Sequence, residues 1–480
     1  MKISYISALL LGQLTILHAV EITRDKPNIV VILMDDMGYG DIAPFGSKLN
    51  RTPNLDRMAI EGMKLTSFYA APICTPSRAQ MMTGCYAQRV SLPAVLPPVS
   101  PVGLGATERT IASLLKHEGY STMAIGKWHL GDQPEFLPTR FGFDHYFGLP
   151  YSNDMGRKAT DAAQTPEGKP NYRPPLPLMQ DEKVIEAPAE QDLLTGRYAK
   201  EAVKFITANK DRPFFLYLAH TAVHTPLHPG PDFKGKSANG LLGDWVEESD
   251  WTVGQVLDTL KNLKLDSRTL VLFTSDNGPW LTQGKNAGTA GPLRGGKFST
   301  WEGGMREPTI AWWPGRIPAG TVRDTILSEM DMLPTAVYLA GGQVPTDHKI
   351  DGKNIWPVLS GSTQESPHEA IYYYSGNYAL QAVRSGPWKL AIVPQGEWTK
   401  ITLPKVFASR EAPRLYNLDT DIGEKTDVAA QNPDVVKRLQ ELVTQMESDL
   451  GIKNKGPGVR ARGQVDHPKP LLKRDGIEYD

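Results

Sequence analysis

The sequence has 480 residues but only two cysteines, Cys74 and Cys85. Two cysteines form at most one bridge, so a fold held together by several disulfides is excluded. Because the two cysteines are close together along the chain, a disulfide between them remains an alternative. We favour Cys85 as a small core residue and expect another role for Cys74.

The sequence also lacks an excess of charge of either sign and lacks long apolar runs beyond its N-terminus. A formal net charge of −1 gives no general attraction to nucleic acid or to an anionic membrane. We therefore expect no nucleic-acid partner, and any anion must be bound by a local cluster of basic groups. No later segment offers about 20 uninterrupted apolar residues, so we expect no stable membrane insertion.

Residues 1–20 resemble an export signal in their order of side chains. Lys2 is basic, an apolar stretch runs from Ser7 to Leu17, and His18-Ala19-Val20 offers a small-residue cleavage site. A buried N-terminal helix is the alternative. We predict that residues 1–20 are a cleaved signal peptide and that the protein is exported, to the periplasm or out of the cell.

Four apolar segments rich in β-branched residues predict buried strands. Continuous apolar runs are typical of parallel strands that helices cover on both faces. The segments 108–118 and 193–209 have helical spacing and supply such helices. We therefore predict an α/β fold with a mostly parallel sheet. The predicted strands cover residues 28–34, 121–126, 214–219 and 270–275.

Each of these strands is followed at once by polar side chains. In an open parallel sheet, ligands bind beyond the carboxyl ends of the strands. The four polar groups therefore predict one functional site at that edge of the sheet. They are Asp35-Asp36, Lys127 with His129, His220 with His224, and Asp276-Asn277.

After about residue 350 the pattern changes to short strands joined by glycine-containing turns. Strands are predicted near 370–374, 378–384, 388–393 and 415–418, and a helix near 433–450. We therefore predict a catalytic domain over residues 24–365. A smaller C-terminal domain of antiparallel strands and a helix follows over 366–480, with a Pro- and Gly-rich tail.

Three long loops are predicted within the larger domain, at residues 151–189, 230–243 and 283–296. They have no clear hydrophobic period and are rich in Pro, Gly and polar residues. Long loops over the carboxyl edge of a sheet are frequently functional. We expect the first and third of these loops to select the substrate.

Cys74 lies in a segment with the signals of a helix N-terminus. Cys74 or Thr75 suits the cap region, Pro76 suits the first turn, and Gly84 can end the helix. Backbone N–H groups at such a terminus attract anions. From these residues alone, Cys74 is either a thiolate nucleophile or a small buried side chain.

The two strand-end pairs Asp35-Asp36 and Asp276-Asn277 are rich in oxygen ligands. Adjacent carboxylates repel one another unless a cation or a cage of hydrogen bonds holds them. Three carboxylates and an amide oxygen suit a hard ion better than zinc. The pairs therefore predict a calcium site, with magnesium left open; turn and capping roles are the alternative.

The segment Cys74-Thr75-Pro76-Ser77-Arg78, which continues to Thr83-Gly84, resembles the signature of type I sulfatases. Gly126-Lys127-Trp128-His129-Leu130-Gly131 resembles a second motif of that family, and Leu293-Arg294-Gly295-Gly296-Lys297 extends the resemblance. It spans roughly residues 27–418 and implies an alkaline-phosphatase-like fold. It also implies that a separate maturation enzyme oxidises Cys74 to formylglycine (3-oxoalanine).

The resemblance further implies roles for particular residues. The metal ligands would be Asp35, Asp36, Cys74, Asp276 and Asn277, and the catalytic residues Cys74, Arg78, Lys127, His129, His224 and Lys297. His220 is the alternative to His224. The segment 148–156 resembles arylsulfatase A and the galactosamine-6-sulfatases and suggests Ser152 as a substrate contact. Arg294 and Arg306 either contact substrate or brace their loop.

The implied activity is hydrolysis of a sulfate ester to an alcohol and sulfate, on a sulfated saccharide or an aryl sulfate. The expected chemistry has His224 acting on the departing oxygen and His129 acting as a base. Two other functions stay open. One is a phosphoester or phosphonate hydrolase of the same superfamily, and the other is a non-catalytic binder of sulfated glycans.

Overall fold

A computed structural model describes residues 26–156, 174–393, 395 and 413–472. The predicted signal peptide, residues 1–20, lies outside the described residues. So does the segment 157–173 within the first predicted loop. Within the described ranges, no helix is long and apolar enough to cross a membrane.

The described residues form a large sheet, two smaller sheets and flanking helices. The strands are β1 Asn28–Met34, β2 Met63–Tyr69, β3 Val102–Gly103, β4 Ser121–Gly126, β5 His145–Gly148, β6 Leu178–Gln180, β7 Lys183–Glu186, β8 Phe214–Ala219, β9 Thr269–Ser275, β10 Arg306–Trp312, β11 Thr321–Arg323, β12 Leu327–Ser328, β13 Ile371–Tyr374, β14 Leu380–Ser385, β15 Trp388–Ala391, β16 Arg414–Asn417 and β17 Gly463–Gln464. The helices are α1 Pro53–Glu61, α2 Cys74–Thr83, α3 Ile111–His117, α4 Leu194–Ala208, α5 Gly240–Asn262, α6 Glu302–Met305, α7 Met332–Leu339, α8 Trp356–Leu359 and α9 Pro433–Asp449.

The large sheet has the order β11-β2-β10-β9-β1-β8-β4-β5-β6-β7, and β12 also pairs with β2. The four strands that the sequence predicts lie side by side at its centre and are parallel to one another. Ile29, for example, lies between Phe215 and Leu270. The predicted mostly parallel sheet with flanking helices is confirmed. The sheet also contains antiparallel pairs. On one side β10 is antiparallel to its neighbour β2, and on the other β6 is antiparallel to β5 and β7.

Two hydrophobic cores lie on opposite faces of this sheet, and β1 supplies both. Val31 and Leu33 point into the core that α2, α3, α7 and α8 cover. Val30 and Ile32 point into the core that α1, α4 and α5 cover. Because successive side chains of a strand point to opposite faces, a strand buried on both faces must be apolar throughout.

The C-terminal strands form a separate antiparallel sheet in the order β13-β14-β15-β16. Leu439 and Leu442 of α9 pack against Val383 and Leu390 of this sheet in a core of their own. The predicted smaller unit of antiparallel strands and a helix is therefore present. Part of the tail returns to the larger unit, because β17 pairs with β3.

One long helix was not predicted. Helix α5 begins at Gly240, inside the segment 230–243 that the sequence indicates as a loop, and continues to Asn262. Trp245 and Val253 of α5 lie in the core next to α1 and α4. Packing of this apolar face outweighs the weak helix propensity of its glycines.

Candidate active site

The polar side chains that follow the central strands converge at one edge of the sheet. Because these strands are parallel and adjacent, their carboxyl ends open on the same side. Loops from the same side of the molecule bring in Cys74 and Lys297. Asp35 and Asp36 follow β1, Lys127 and His129 follow β4, Ser152 follows β5, His220 and His224 follow β8, and Asp276 and Asn277 follow β9.

Cys74 is the first residue of α2 and is almost fully buried. The cap position belongs to Ile73, which makes no side-chain cap, so the sequence places the start of the helix one residue late. Thr75 is not a cap because its hydroxyl donates to the carbonyl oxygen of His129, at 2.9 Å. The helix ends, as predicted, at Gly84 in a left-handed conformation.

The Cys74 thiol lies among charged groups rather than apolar ones. Its Sγ is 3.4 Å from Lys297 Nζ and 3.7 Å from Asp35 Oδ1. Burial nevertheless raises the pKa of the thiol to about 12, against the opposite effect of Lys127 and Lys297. A thiol in this environment is a poor thiolate nucleophile, because reactive cysteines have lowered pKa values. Both cysteines are free, so the open alternative of a bridge is wrong.

Arg78 lies one turn along α2 and is completely buried. Its Nε and Nη2 donate to Asp276 Oδ2 at 3.0 and 2.8 Å, and its Nη1 donates to the Lys127 carbonyl at 2.5 Å. A forked contact of this kind is rigid because the guanidinium is planar. Arg78 therefore fixes two strand ends with respect to the helix that carries Cys74.

Lys127 and Asp35 form a buried ion pair beside Cys74. Lys127 Nζ is 2.6 Å from Asp35 Oδ2 and also donates to Ser152 Oγ at 3.2 Å. Burial opposes the charge of Asp35, but Lys127, His224 and Arg78 together hold the pKa of this carboxyl below its usual value. Ser152 is brought into the site by this contact.

Lys297 is the second lysine of the site. Its Nζ contacts both carboxylate oxygens of Asp36, at 2.7 and 2.9 Å. Asn277 Nδ2 donates to Asp36 Oδ1 at 2.7 Å. The two lysines are thus each paired with one aspartate of the Asp35-Asp36 pair, and Lys297 also contacts Cys74.

The centre of the site fits a hard divalent cation. Ligand atoms of Asp35, Asp36, Cys74 and His224 all lie within 4.8 Å of one another. Asp276 Oδ1 joins them by accepting from the backbone N–H of Asp36 at 3.2 Å. Burial and the neighbouring Asp35 raise the pKa of Asp276 to about 6, which is the expected response of crowded carboxylates.

Asn277 supplies a further oxygen for such an ion. Its Oδ1 is buried and has no hydrogen-bond partner among the residues that the structure describes. A buried amide oxygen without a partner is costly unless an ion or water meets it. The site thus combines carboxylate and amide oxygens with the Cys74 sulfur and a His224 nitrogen, a buried group that could hold a metal ion.

The three histidines that follow β8 have different surroundings. His224 Nε2 is 3.7 Å from Asp36 Oδ2, and its Nδ1 is 2.6 Å from the carbonyl oxygen of Thr225. His228 pairs with Asp192 at 2.7 Å, away from Cys74. His220 is buried with neither ring nitrogen bonded within the described part of the chain, and burial lowers its pKa to about 3. His224 is therefore the histidine beside the carboxylates.

His129 is held by its backbone and by one ring nitrogen. Its Nε2 is 3.0 Å from the Leu96 carbonyl oxygen, which makes Nε2 the protonated nitrogen. Nδ1 is buried and has no partner in the described ranges. Burial, with the charges of Lys127 and Arg78, lowers the pKa of His129 well below its usual value. The ring is therefore neutral, with Nδ1 free to accept a proton.

Three residues at or next to this site have a left-handed backbone conformation. Asp36 and His129 have φ values of 61° and 62°, and Phe298, next to Lys297, has a φ of 71°. Non-glycine residues rarely adopt this left-handed conformation, and when they do it is often at functional sites. Lys127 also follows a left-handed residue, Gly126, with a φ of 96°.

The two arginines near the Lys297 loop brace the structure. The Arg294 guanidinium lies 3.8 Å from the centre of the Trp301 ring, and Arg306 pairs with Glu302 at 3.5 Å. Lys389 from the C-terminal sheet also reaches Glu302, at 3.0 Å, and donates to the Thr300 carbonyl at 2.9 Å. The loop that carries Lys297 is thus held by the C-terminal sheet.

Trp280 is a neighbour of the site that the sequence did not single out. Its ring centre is 5.4 Å from that of His224 and 4.8 Å from Lys297 Nζ. Its position four residues after Asp276, at the end of the predicted strand-end motif, was the available signal. An aromatic residue in a loop belongs to no periodic pattern, so no role was predicted for Trp280.

Comparison with known proteins identifies the family of the chain. Residues 27–342 match the sulfatase family, and residues 366–459 match the C-terminal region of aryl-sulfatase. The chain belongs to the sulfatase family. It is a sulfuric ester hydrolase, and the resemblance drawn from the Cys74 segment is confirmed.

The sulfatase is similar to named relatives over most of its length. It is 38% identical to arylsulfatase A of Bos taurus, over 91% of both chains. It is 37% identical to N-acetylgalactosamine-6-sulfatase of Canis lupus familiaris, over 88% of this chain and 86% of that one. These similarities support hydrolysis of a sulfate ester.

Solved structures resemble the whole fold. PsFucS1 sulfatase from Pseudoalteromonas sp. has a TM-score of 0.79 at 28% identity, over 89% of this chain and 91% of that one. Ps i-CgsB in complex with k-i-k-neocarrahexaose has a TM-score of 0.74 at 32% identity, over 88% and 93%. A phosphonate monoester hydrolase of Agrobacterium radiobacter, at 19% identity, shares the fold alone.

Proposed function

We propose that this sulfatase removes sulfate from a saccharide, using formylglycine made from Cys74 and one bound Ca²⁺. The burial of Cys74 among ionised groups at the first residue of α2 is the observation that carries this proposal. Burial raises the pKa of this thiol, which makes it a poor nucleophile, so a modified side chain is favoured. Sulfatases generally use formylglycine and a divalent cation.

The modification and the ion would be held by residues already described. Formylglycine supplies a reactive aldehyde carbon, and a divalent cation supplies Lewis-acid polarisation of an oxygen next to it. Asp35, Asp36, Asp276 and Asn277 are the proposed oxygen ligands, together with the modified side chain of Cys74. A separate maturation enzyme is the proposed partner that oxidises Cys74.

Binding of the sulfate group is assigned to the basic side chains around Cys74. Lys127 and Lys297 are each already paired with a carboxylate of the site. The N-terminus of α2 adds backbone N–H groups and a favourable dipole. Preorganised positive groups of this kind stabilise charge that develops on transferring oxygens. Arg78 acts by holding Asp276 and the Lys127 backbone.

Two histidines are proposed to move protons on opposite sides of the reaction. His224 Nδ1 bonds to a carbonyl oxygen, so Nε2 is the nitrogen available to the departing alcohol oxygen. His129 Nδ1 is unprotonated and without a partner among the described residues, so it suits a proton acceptor.

A sulfated saccharide is the proposed substrate class. One relative is named for N-acetylgalactosamine 6-sulfate, and one similar structure contains a neocarrahexaose. Ser152, which accepts from Lys127 Nζ at 3.2 Å, is the proposed hydroxyl contact at the rim of the sulfate site. We also propose export through the signal at residues 1–20, a catalytic domain over 24–365 and a smaller domain over 366–480.

The test is co-expression with a formylglycine-generating enzyme, followed by mass spectrometry of the Cys74 peptide and an activity panel. The panel contains monosulfated monosaccharides, 4-nitrocatechol sulfate and the matching phosphate esters. We expect an aldehyde at Cys74 and release of sulfate from at least one sugar, far faster than release of phosphate. Unmodified cysteine throughout with sugar binding but no turnover favours the glycan binder, and preferred phosphate release favours the phosphoesterase.

A further inference from the structure

Trp280 stands out because it is partly exposed at the edge of a site whose other members are buried. His224 and Lys297 are only 3% and 5% exposed. Exposed apolar surface is unfavourable by about 25 cal/mol per Å², and the cost is removed when a ligand covers it. The indole therefore offers apolar surface next to the buried side chains of the site.

Backbone hydrogen bonds hold Trp280 in a fixed position relative to Lys297 and His224. The carbonyl of Pro279, immediately before it, accepts from the backbone N–H of Lys297 at 3.0 Å. Gly278 N donates to the Gly304 carbonyl at 3.3 Å. The loop that begins at Asp276 is thus tied to the loop that carries Lys297, and Trp280 lies between them.

Aromatic contacts add to this fixation. The Trp280 ring centre is 5.4 Å from that of His224, with an angle of 53° between the rings. It meets Phe298 edge to face at 5.7 Å, and Lys297 Nζ lies 4.8 Å from its centre. Such aromatic pairs and a cation over a ring each stabilise one orientation. The indole is preorganised rather than free to swing away.

These contacts place Trp280 on the leaving-group side of the site. Lys297 Nζ is also 3.4 Å from Cys74 Sγ, so the indole is separated from the reacting position by one ammonium group. His224, the group assigned to the departing oxygen, touches the same indole. A carbon skeleton attached to that oxygen must therefore lie beside Trp280.

We propose that Trp280 is a specificity residue whose indole packs against the sugar ring carrying the sulfate ester. This inference rests on the proposed function, since it needs a saccharide leaving group. A pyranose presents a row of C–H groups on one face, and these groups complement the negative face of an aromatic ring. The lysines recognise the sulfate, and Trp280 recognises the ring that bears it.

The test compares Trp280→Ala and Trp280→Phe with the wild type in the matured enzyme. The substrate is the monosulfated monosaccharide that the wild type hydrolyses fastest in the panel above. Inorganic sulfate, used as a competitive inhibitor, reports the lysine side of the site alone. Trp356→Ala is the matched control, because Trp356 is also partly exposed and pairs with another tryptophan, Trp313, at 5.2 Å.

We expect Trp280→Ala to lower kcat/KM for the sugar by roughly 10- to 100-fold, mainly through KM, as for loss of one stacked ring. Trp280→Phe should recover most of this loss. The inhibition constant of sulfate should change little in either variant. Trp356→Ala should leave KM unchanged, and circular dichroism checks that each variant is folded.

Three results would overturn the inference in different ways. An unchanged KM in Trp280→Ala would show that the indole does not pack against the sugar ring, while the proposed function would still stand. A sulfate inhibition constant that rises as much as KM means that Trp280 only braces Lys297 and His224. If the matured wild type hydrolyses aryl sulfates but no sulfated sugar, the saccharide part of the proposed function fails and the inference fails with it.

Discussion

At the scale of single residues, the environment of Cys74 decides how it can react. The thiol is buried, its pKa is raised to about 12, and it contacts both Lys297 and the Asp35 carboxylate. A side chain that must transfer sulfate repeatedly also has to release it afterwards. Formylglycine meets both requirements, to accept the sulfate and to release it. A side chain with a single hydroxyl or thiol at this position does not.

The substitution Cys74→Ser is expected to abolish multiple turnover. A hydrated formylglycine would carry two hydroxyls, one to attack sulfur and one whose proton His129 could take to release the sulfate. A serine has only the first of these, so it can react once but cannot release the sulfate. Rapid-mixing assays with 4-nitrocatechol sulfate should give at most one equivalent of product per enzyme. Steady turnover at the wild-type rate by this variant would contradict the formylglycine scheme.

His224 and His220 provide a matched pair for testing proton transfer. His224→Ala should lower kcat by roughly 10²- to 10⁴-fold for sugar esters, the usual effect of a lost acid catalyst. The loss should be much smaller for 4-nitrocatechol sulfate, since that leaving group needs little protonation. A ratio of the two losses near one would contradict the assignment.

His220→Ala is the control for this pair. His220 is fully buried, touches Tyr198 and makes no contact with Asp36 among the described residues. Its removal should create a cavity and lower the free energy of unfolding. The dependence of the rate on the leaving group should stay as in the wild type.

Many of the site residues could be predicted because they directly follow the ends of the central strands. Asp35, Lys127, His224 and Asp276 all follow apolar runs, and the parallel sheet brings such ends together. Trp280 could not be found in this way. Its place next to Lys297 depends on how two long loops meet, and no short-range pattern carries that information.

At the scale of elements, the loop that carries Lys297 depends on the C-terminal sheet. Lys389 of β15 is fully buried and contacts Glu302 at 3.0 Å and Glu424 at 2.7 Å. Thr300 is held as well, because its hydroxyl donates to Gln381 at 2.7 Å. The smaller unit therefore supports a sulfate-contacting residue without itself entering the site.

Lys389→Met is expected to weaken both stability and sulfate binding. Removing one partner of a buried ion pair costs about 3–5 kcal/mol, since Glu302 and Glu424 lose their shared cation. The Lys297 loop should then become looser, which raises the inhibition constant of inorganic sulfate. Chemical denaturation measures the first effect and competitive inhibition the second.

The double variant Lys389→Met/Glu424→Gln separates these effects. Replacing both charges removes the unpaired carboxylate and should recover much of the lost stability. The Thr300 carbonyl still lacks its donor, so sulfate binding should stay weak. Full recovery of sulfate binding together with stability would show that Lys389 acts on folding alone.

The element that the sequence did not predict, α5, illustrates a limit of reading patterns. Its segment contains Gly240, Gly243 and Gly254, which are poor helix formers. Gly254 lies where a larger side chain would meet Asn54 of α1, so the glycine permits close packing of two helices. Tertiary contact is what makes this segment helical, and a single sequence does not reveal that contact.

At the scale of the whole molecule, the strand order accounts for both the fold and the site. β4, β8, β1 and β9 lie next to one another, although they are far apart in sequence. Their apolar content predicts a parallel sheet, and so the gathering of their ends was predictable. The antiparallel entry of β10 between β9 and β2 was not, because β10 begins with Arg306-Glu307-Pro308-Thr309 and lacks the continuous apolar run of the central strands.

The cation should therefore link the stability of the whole chain to the site. Asp35, Asp36 and Asp276 are buried within contact of one another, and their mutual repulsion opposes folding when no ion is bound. Binding to the folded state alone adds about 2.7 kcal/mol at a free ion concentration of 100 times Kd. We expect EDTA to lower Tm by a few degrees and Ca²⁺ to restore it.

Two carboxamide variants sharpen this measurement. Asp276→Asn should lose most of the Ca²⁺-dependent shift in Tm, because it removes one proposed ligand charge. Asp250→Asn alters an equally buried aspartate that instead accepts from the backbone N–H groups of Asn54 and Leu55 at the start of α1. It should lower Tm but keep the full response to Ca²⁺. Equal Tm values with EDTA and with Ca²⁺ in the wild type would contradict the site, and recovery by Mg²⁺ but not Ca²⁺ would contradict the choice of ion.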